Sequence, residues 1–242
     1  MRGPLYARGV MGSEPVELLD RPVYSTVQVD RILNLRAGTA ERWIDGYTRS
    51  GRHYPPVVRN EPTGSDIVTW GEFSETRLLS EYRGKGARMI RMRPAVERLR
   101  DELGLRYPLA HAAPWLETRG RELVRRIQDE VSLDRDLQLV VVRNGQLVLA
   151  LPAEQYVESI DFGDTTWAQR IRAASDIPDV WFDPLRQFGE PVVRSVPTAI
   201  IAEQYRAGDS IGLIAEAYSL SEGEVEQAIR YELRGARQPQ AA

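Results

Sequence analysis

Five side chains between positions 39 and 59 carry groups with which proteins contact nucleic acids: Thr39, Arg42, Arg49, Arg52 and Arg59. A guanidinium group binds a phosphate or a guanine edge through two parallel hydrogen bonds, and a threonine hydroxyl can bond to either. No acidic residue lies between Asp45 and Glu61. The last three arginines therefore form an uninterrupted basic run, which we expect to contact phosphate.

Two short amphipathic helices are predicted to position Thr39 and Arg42. Apolar residues recur at i, i+3 and i+4 in two successive stretches, and Asn34, which tolerates a left-handed backbone, separates them. Two such helices across a tight turn form a helix-turn-helix, whose second helix can enter the major groove of DNA. Thr39 and Arg42 lie opposite the apolar side of the second helix. The apolar positions are Val29, Ile32 and Leu33 on the first helix, and Ala40, Trp43, Ile44 and Tyr47 on the second.

A β-hairpin is predicted after the two helices. Residues 54–59 and 66–70 have the composition of short strands, and the turn between them contains Pro62 and Gly64. A hairpin directly after a helix-turn-helix is a wing, so we expect the basic run to lie along the phosphate backbone.

Four residues oppose this interpretation. Asp30 lies where such helical pairs usually pack a small residue, and Glu41 and Asp45 give the second helix negative charge. Gly38 stands where a serine or aspartate would cap that helix. The alternative is a helical hairpin that contributes only to a core and binds no DNA.

The composition disfavours most kinds of catalytic site. The 242 residues include no cysteine and only two histidines, His53 and His111, which excludes disulfides and thiolate ligands and disfavours histidine-based metal centres and triads. Metal-ligand spacings and Gly-rich phosphate loops are also missing from the sequence. We therefore expect no cofactor, no metal and no enzymatic activity. No apolar run approaches the roughly 20 residues of a membrane span, which favours a cytoplasmic protein without membrane contact.

Charge is distributed unevenly along the chain. Residues 1–110 carry 18 basic and 14 acidic side chains, whereas residues 111–242 carry 14 basic and 21 acidic ones. A basic first half fits contact with phosphate, and an acidic second half fits contact with a different partner. Lys85 is the only lysine, which we attribute mainly to the base composition of the genome.

Helices are predicted over residues 71–82 and, after an interruption over residues 84–88, from there to Leu103. In the second helix, apolar residues follow one another at alternating spacings of three and four, as on the apolar side of a coiled coil. Pro94 should kink or restart this helix. This side either covers the protein's own core or forms a dimer contact. Its members are Met89, Met92, Val96, Leu99 and Leu103.

The middle of the chain has a strand pattern. Hairpins are predicted over 115–126 and over 137–149, and Asn144-Gly145 in the second is the strongest short hairpin signal. A short helix follows over 152–157. Residues 163–180 are predicted to be a linker with one or two helical turns.

Three helices are predicted near the C-terminus. Gly208 suits the end of the first, and Glu224 completes a capping box at the start of the third. The predicted N-caps are Thr198, Ser210 and Ser221. The third helix has mostly acidic charges, which would meet phosphate at an electrostatic cost. We therefore assign this module to protein contacts. Its charged residues are Glu222, Glu224, Glu226 and Glu232, with Arg230.

The C-terminal motifs resemble a small antitoxin module catalogued as a domain of unknown function, and residues 24–59 resemble the winged domain of MerR-like regulators. Together they are similar to the VapB-type antitoxins of type II toxin–antitoxin systems. The motifs are AspPro (183–184), PheGlyGluPro (188–191), AlaGlyAspSerIle (207–211) and IleAlaGluAlaTyr (214–218).

This resemblance implies neutralisation of a VapC-type PIN-domain ribonuclease and autoregulation of a shared operon through operator DNA. We also predict a homodimer, built from the C-terminal three-helix module, the Met89 to Leu103 side, or both, because helix-turn-helix proteins usually bind paired half-sites. An arginine from Arg230, Arg234 or Arg237 is then expected to enter the toxin's metal site. A stand-alone MerR-like transcriptional regulator is the alternative function.

The predicted class is α+β, with a winged helix-turn-helix, a small β-rich middle segment and a C-terminal three-helix, homeodomain-like module. The predicted divisions are a flexible tail over 1–20, the winged domain over 21–110, the middle segment and linker over 111–180, the antitoxin module over 181–235 and a flexible tail over 236–242.

Overall fold

The computed structural model describes residues 18–83 and 88–236. The predicted tails fall almost entirely outside these ranges. Helices alternate with short strands, and the strand pairs are antiparallel, so the predicted α+β class is confirmed. No helix in the described ranges is long and apolar enough to cross a membrane.

The described chain divides into two compact units, and the predicted middle segment is shared between them. The front unit consists of the described residues up to Glu158, together with Phe162–Ala168. The back unit consists of Ser159–Asp161 and the described residues from Gln169 onward.

The front unit begins with a strand and the predicted pair of helices. Its first elements are β1 (Pro22–Ser25), α1 (Thr26–Ile32), α2 (Thr39–Ile44), β2 (Tyr47–Arg49), β3 (Arg52–Tyr54), β4 (Ile67–Thr69) and α3 (Trp70–Glu81). β1 pairs with β4, and β2 pairs with β3. The helices start where capping boxes form, with Ser25 and Gln28 at α1 and Thr69 and Glu72 at α3.

The hairpin after α2 lies earlier in the sequence than predicted. It turns at Ser50 and Gly51, both of which have positive φ, and the predicted strand over 54–59 contributes only Tyr54. The prediction for this segment was wrong because Pro55 and Pro56 have no N–H to donate to a strand ladder.

Arginines from a later helix hold the segment that follows the hairpin. Arg93 donates to the main-chain oxygens of Pro56 and Asn60, and Arg100 donates to that of Val58 at 2.7 Å. Guanidinium groups therefore satisfy the carbonyls that a neighbouring strand would otherwise satisfy.

The heptad-like side chains before and within α4 (Arg93–Leu103) pack inside the front unit. Pro94 lies in the first turn of α4, after a 3-10 turn over Met89–Met92. The five apolar residues of this side are at most 9% exposed. They form part of the protein's own core, so this side is not a dimer contact.

The hairpin predicted over 115–126 is wrong, because this stretch forms α5 (Ala113–Leu116) and most of α6 (Thr118–Glu130). Gly120, Val124 and Ile127 are buried at helical spacing. A Cβ at Gly120 would lie 1.8 Å from the main-chain oxygen of Ala113, so the two helices meet where only glycine fits.

The hairpin with the Asn144-Gly145 turn is confirmed. It consists of β5 (Val140–Arg143) and β6 (Gln146–Leu149), and both turn residues have positive φ. The helix predicted over 152–157 is present as α7 (Leu151–Ser159).

The back unit contains a five-stranded antiparallel sheet packed against three helices. The strands are β7 (Ile160–Asp161), β8 (Arg170–Ala174), β9 (Ile177–Phe182), β10 (Pro191–Val193) and β11 (Val196–Pro197), in the order β11-β10-β9-β8-β7. The helices are α8 (Thr198–Ala207), α9 (Ile211–Tyr218) and α10 (Glu222–Ala236). Val180 and Val193 of the sheet meet Ile201, Ile214 and Val225 of the helices in one apolar core.

The three predicted C-terminal helices are confirmed, but the linker before them is not. Residues 163–180 include β8 and the start of β9, because Ile171, Ile177 and Val180 are buried as strand residues. Ser210 and Ser221 cap α9 and α10 as predicted. Thr198 does not cap α8; its hydroxyl donates to Glu232 at 2.5 Å.

Candidate nucleic-acid interface

A shallow groove separates α2 from the β2–β3 hairpin. Its volume is about 580 Å³, and it is lined by Gly38, Glu41, Arg42, Tyr47, Thr48 and Arg49. Arg42 and Arg49, predicted from the sequence to contact DNA, therefore lie at the same surface feature. The groove joins the exposed side of a helix to an exposed strand.

The second helix separates its faces as predicted. Ala40 and Ile44 are fully buried, whereas Arg42 is exposed and Thr39 is half-buried. A guanidinium nitrogen of Arg42 donates to the Thr39 hydroxyl at 3.0 Å. This contact uses one of the five guanidinium donors, so others stay available to an external acceptor.

Arg49 and Arg52 are direct cross-strand partners at the end of the hairpin, and both are exposed. Like charges directly opposite each other on a hairpin are destabilising. An anion bound between them would remove this repulsion. Their arrangement therefore favours contact with a phosphate group.

Two tyrosines stiffen the base of the hairpin. The rings of Tyr47 and Tyr54 stack with centroids 4.6 Å apart and an interplanar angle of 6°. The Arg52 guanidinium lies 5.3 Å from the centroid of the Tyr54 ring. Tyr47 was predicted on the apolar side of the second helix, but it lies on β2 and is 37% exposed.

The carboxylate of Asp30 on α1 caps the N-terminus of α2, which has no capping side chain of its own. Its carboxylate accepts the main-chain N–H of Gly38 at 2.6 Å and of Ala40 at 2.7 Å. Gly38 adopts a left-handed conformation with φ of 72° and has no side chain to contribute. Asp30 is 6% exposed, so its charge faces the helix N-terminus, where a carboxylate is stabilised.

The carboxylate of Asp45 is also occupied inside the protein. It accepts hydrogen bonds from Arg59 at 2.6 Å and from the main-chain N–H groups of Thr63 and Gly64 at 2.6 and 2.8 Å. Burial alone would raise the pKa of Asp45, but these bonds outweigh it and lower the pKa below its ordinary value. Of the three acidic residues that opposed DNA binding, only Glu41 remains exposed and in the groove.

Arg59 is not placed to contact phosphate. Its side chain is 8% exposed and forms ion pairs with Asp45 and Glu72. It also donates to the main-chain oxygens of Ser65 and Ile67. Arg59 therefore fastens the segment between the hairpin and β4, and the sequence-based role on a wing is replaced by this structural one.

The residues predicted to contact a toxin lie at the end of α10. Arg230 is exposed, and Arg234 forms a two-point ion pair with Asp176. The hydrogen bonds from Arg234 lower the pKa of Asp176 below its ordinary value. Arg237 lies outside the described residues.

Sequence reasoning missed that Tyr54 belongs to this surface and that the buried Asp30 supports it by capping α2. The matching positions of Tyr47 and Tyr54 on either side of Ser50-Gly51 were the available signal for the hairpin. In the described ranges, no group of three or more His, Asp or Glu side chains is arranged to hold a metal ion.

Comparison with known proteins gives one family match and several relatives. The profile of the family described as "Protein of unknown function (DUF433)" matches residues 180–231, which run from β9 into α10. The Mycobacterium tuberculosis protein named "Uncharacterized protein Rv2308" is 37% identical over 223 residues, covering 88% of this chain and 91% of that protein.

A second relative from the same organism is named "Putative antitoxin VapB45". It is 30% identical over 236 residues, covering 90% of this chain and 97% of that protein. The crystal structure of Rv2018 from M. tuberculosis superimposes with a TM-score of 0.69 at 27% identity, covering 87% of this chain and 99% of that one. The chain therefore belongs to the family of VapB45 and Rv2308, a family related to toxin–antitoxin systems.

Proposed function

We propose that this chain is a VapB-type antitoxin that neutralises a VapC-type PIN-domain ribonuclease and represses its own operon as a DNA-bound homodimer. The observation that carries the DNA-binding part is that Arg42 and Arg49 line one exposed groove, with Arg52 directly across the hairpin from Arg49. The relationship to VapB45 over most of both chains supports the antitoxin part.

In this proposal α1 and α2 act as a helix-turn-helix, and the β2–β3 hairpin acts as its wing. Arg42 and Thr39 contact base edges or phosphates from α2. Arg49 and Arg52 contact the phosphate backbone, which gives affinity and register but no sequence information. Asp30 and Asp45 do not oppose this contact, because protein donors occupy their carboxylates.

The back unit has the charge expected of a surface that covers an RNA-binding ribonuclease. Five exposed glutamates of this unit form no ion pair within the described residues: Glu190, Glu203, Glu216, Glu222 and Glu226. Such a surface complements a basic partner. Of the predicted toxin contacts, Arg230 is exposed and forms no ion pair with any residue that the structure describes, so it is the residue proposed to enter the metal site.

We propose no catalytic activity for the chain itself. Buried or ion-paired carboxylates such as Asp30, Asp45 and Glu72 have structural partners. Neutralisation by binding needs no chemical step.

A mobility-shift assay tests both parts. The purified full-length chain is mixed with DNA from directly upstream of its reading frame, with and without the protein encoded by the neighbouring reading frame. We expect a shift that strengthens when both proteins are present. DNA left unshifted in both mixtures would overturn the DNA-binding part, and a neighbouring protein that neither binds the chain nor loses ribonuclease activity would overturn the antitoxin part.

A further inference from the structure

Arg100 on α4 is connected to α2 through the segment that follows the hairpin. Its Nη2 atom donates to the main-chain oxygen of Val58 at 2.7 Å. The main-chain N–H groups of Val57 and Val58 in turn donate to the main-chain oxygen of Trp43, in the last turn of α2, at 2.8 and 3.0 Å. These bonds satisfy a carbonyl that has no partner within its own helix. Arg100 is therefore two hydrogen bonds away from the helix that carries Arg42.

The buried carboxyl group of Glu75 on α3 lies beside the same guanidinium. Its Oε2 atom is 3.8 Å from Nη2 of Arg100, and its Oε1 atom accepts the main-chain N–H of Leu109 at 3.0 Å. The side chain of Glu75 is 1% exposed and that of Arg100 is 10% exposed. Glu75 Oε2 and Arg100 Nη1 are both buried, and neither has a hydrogen-bond partner within the described residues. The two side chains are therefore close neighbours that are not yet hydrogen-bonded to each other.

The surroundings of Glu75 offer one cation to compensate a negative charge. Arg100 is the basic side chain that lies within 4 Å of its carboxyl group in the described ranges. Glu72, one turn earlier on α3, is acidic and is itself paired with Arg59. Burial raises the pKa of Tyr156 on α7, so the Tyr156 hydroxyl stays neutral. Burial also raises the pKa of Glu75 to about 8, while Arg100 acts in the opposite direction. Loss of the Glu75 proton therefore creates a buried charge that only Arg100 is placed to bind.

We infer that Arg100 is a positioning residue for α2 and that the proton on Glu75 controls it. While Glu75 carries this proton, Arg100 donates to Val58 and supports the end of α2. When Glu75 releases the proton to solvent, the guanidinium of Arg100 moves by about 1 Å onto the carboxylate, since a bond to a charged oxygen is roughly twice as strong as one to a carbonyl. The bond to Val58 is then lost, and the segment that contacts Trp43 is held less firmly.

This movement links DNA affinity to pH, and the link rests on the proposed function, in which α2 presents Arg42 to DNA. A helix that is held less firmly must be ordered when it binds, which lowers its affinity. The protonated form of Glu75 predominates below a pH of about 8 and the ionised form above it. DNA affinity should therefore be highest on the acidic side of this value and fall as pH rises through it.

Amide hydrogen exchange measures the movement without DNA. The protection of Val57 and Val58 is compared in full-length protein at about pH 7 and about pH 9.5, corrected for the intrinsic exchange rate, which places one measurement on each side of the titration. We expect protection to fall severalfold at the higher pH. In Glu75→Gln it should stay constant, because glutamine keeps an acceptor for Leu109 and cannot ionise. The β5–β6 hairpin is the internal control, and its protection should change less.

Fluorescence anisotropy with DNA from directly upstream of the reading frame measures the consequence. The affinity of the unaltered chain should fall severalfold between the same two pH values, and that of Glu75→Gln should fall less. Other titrating groups are common to both proteins, so the difference between the two profiles reports Glu75. Glu122→Gln replaces an exposed glutamate on α6; it is the matched control and should have the pH dependence of the unaltered chain.

The outcomes separate the inference from the proposed function. Equal loss of protection in the unaltered chain and Glu75→Gln overturns the inference, and so does an equal loss in the β5–β6 hairpin, which would report general unfolding. DNA affinity with the same pH dependence in both proteins also overturns it, because Arg100 would then not position α2. If the unaltered chain binds no DNA at either pH, the proposed function fails, whereas a loss of protection that Glu75→Gln abolishes still supports the movement of Arg100.

Discussion

The Asp30 carboxylate on α1 accepts the main-chain N–H of Ala40 on α2 at 2.7 Å, so the first helix of the pair caps the second. A cap from another helix fixes the relative position of the two helices as well as the start of α2. The position of Arg42 relative to the hairpin therefore depends on a buried side chain that is itself away from the surface.

We expect Asp30→Ala to destabilise the protein by about 2 kcal/mol, since it removes two bonds to a charged acceptor and leaves buried N–H groups unpaired. Asp30→Asn should cost less, because the amide oxygen can still accept one of them. Urea unfolding measures both values. Glu41→Ala, an exposed change on α2, is the control and should stay within about 0.5 kcal/mol.

Replacing Arg49 or Arg52 with alanine should weaken DNA binding to all sequences. Each loses one phosphate contact, so the slope of log affinity against log salt should fall by roughly 0.9. Fluorescence anisotropy over a series of salt concentrations measures the slope. Arg119→Ala removes an exposed arginine elsewhere in the front unit, and an equal loss of slope in that control would show that the effect is not specific to the hairpin.

Replacing Arg59 should lower the stability of the protein, whereas replacing Arg49 or Arg52 should lower its affinity for DNA. Arg59→Ala leaves the carboxylates of Asp45 and Glu72 without their cation, and breaking a buried pair costs about 3–5 kcal/mol. Arg59→Lys should also destabilise, because an ammonium cannot reproduce the planar fork. Denaturant midpoints measure both changes. If Arg59→Ala is as stable as the unaltered chain but binds DNA more weakly, Arg59 contacts DNA and the structural role is wrong.

The buried carboxyl of Glu75 on α3 should make stability fall as pH rises. Glu75 has no exposed surface, and one of its oxygens has no hydrogen-bond partner within the described residues. Burial raises its pKa from 4.5 to about 8, although Arg100 and the N–H of Leu109 act in the opposite direction. The folded state therefore binds a proton that the unfolded state releases.

The pKa of Glu75 is higher in the folded protein than in the unfolded chain. The stabilising contribution of Glu75 is therefore complete below pH 4.5 and is lost as pH rises to about 8. Glu75→Gln keeps an acceptor for Leu109 and removes the titration. We expect the variant to be more stable than the unaltered chain above pH 8, with a flatter profile between the two values. Parallel profiles for the two proteins, from thermal unfolding at each pH, would contradict the assignment.

Much of the fold is encoded in local signals that the sequence makes visible. The capping serines at 210 and 221, the Asn144-Gly145 turn and the helical spacing around Ala40 and Ile44 each involve neighbours a few residues apart. These elements were predicted correctly because their physical cause lies within the same stretch of chain.

Most of the errors fall where the cause lies far away in sequence; the strand predicted over 54–59 is the exception, because Pro55 and Pro56 lie within that stretch. Residues 115–126 have strand-like composition, but Gly120 packs against the main chain of Ala113 as part of a helix. Asp30 was interpreted as a defect because the N–H groups that it caps are eight and ten residues later. Arg59 was assigned to DNA because its partner Glu72 lies on a different element. Pairing over such distances is decided by tertiary packing, which periodicity does not report.

The segment between the hairpin and β4 has a consequence for how the protein can be modified chemically. Its carbonyls are bound by the guanidinium groups of Arg93 and Arg100, whereas Lys85 is the one lysine in the sequence. Lys85 is therefore the one side chain that amine-directed labels and cross-linkers can modify, and they leave the contacts of Arg93 and Arg100 intact. Dicarbonyl reagents that modify arginine compete with the main chain for the same nitrogen atoms, and we expect them to open the front unit.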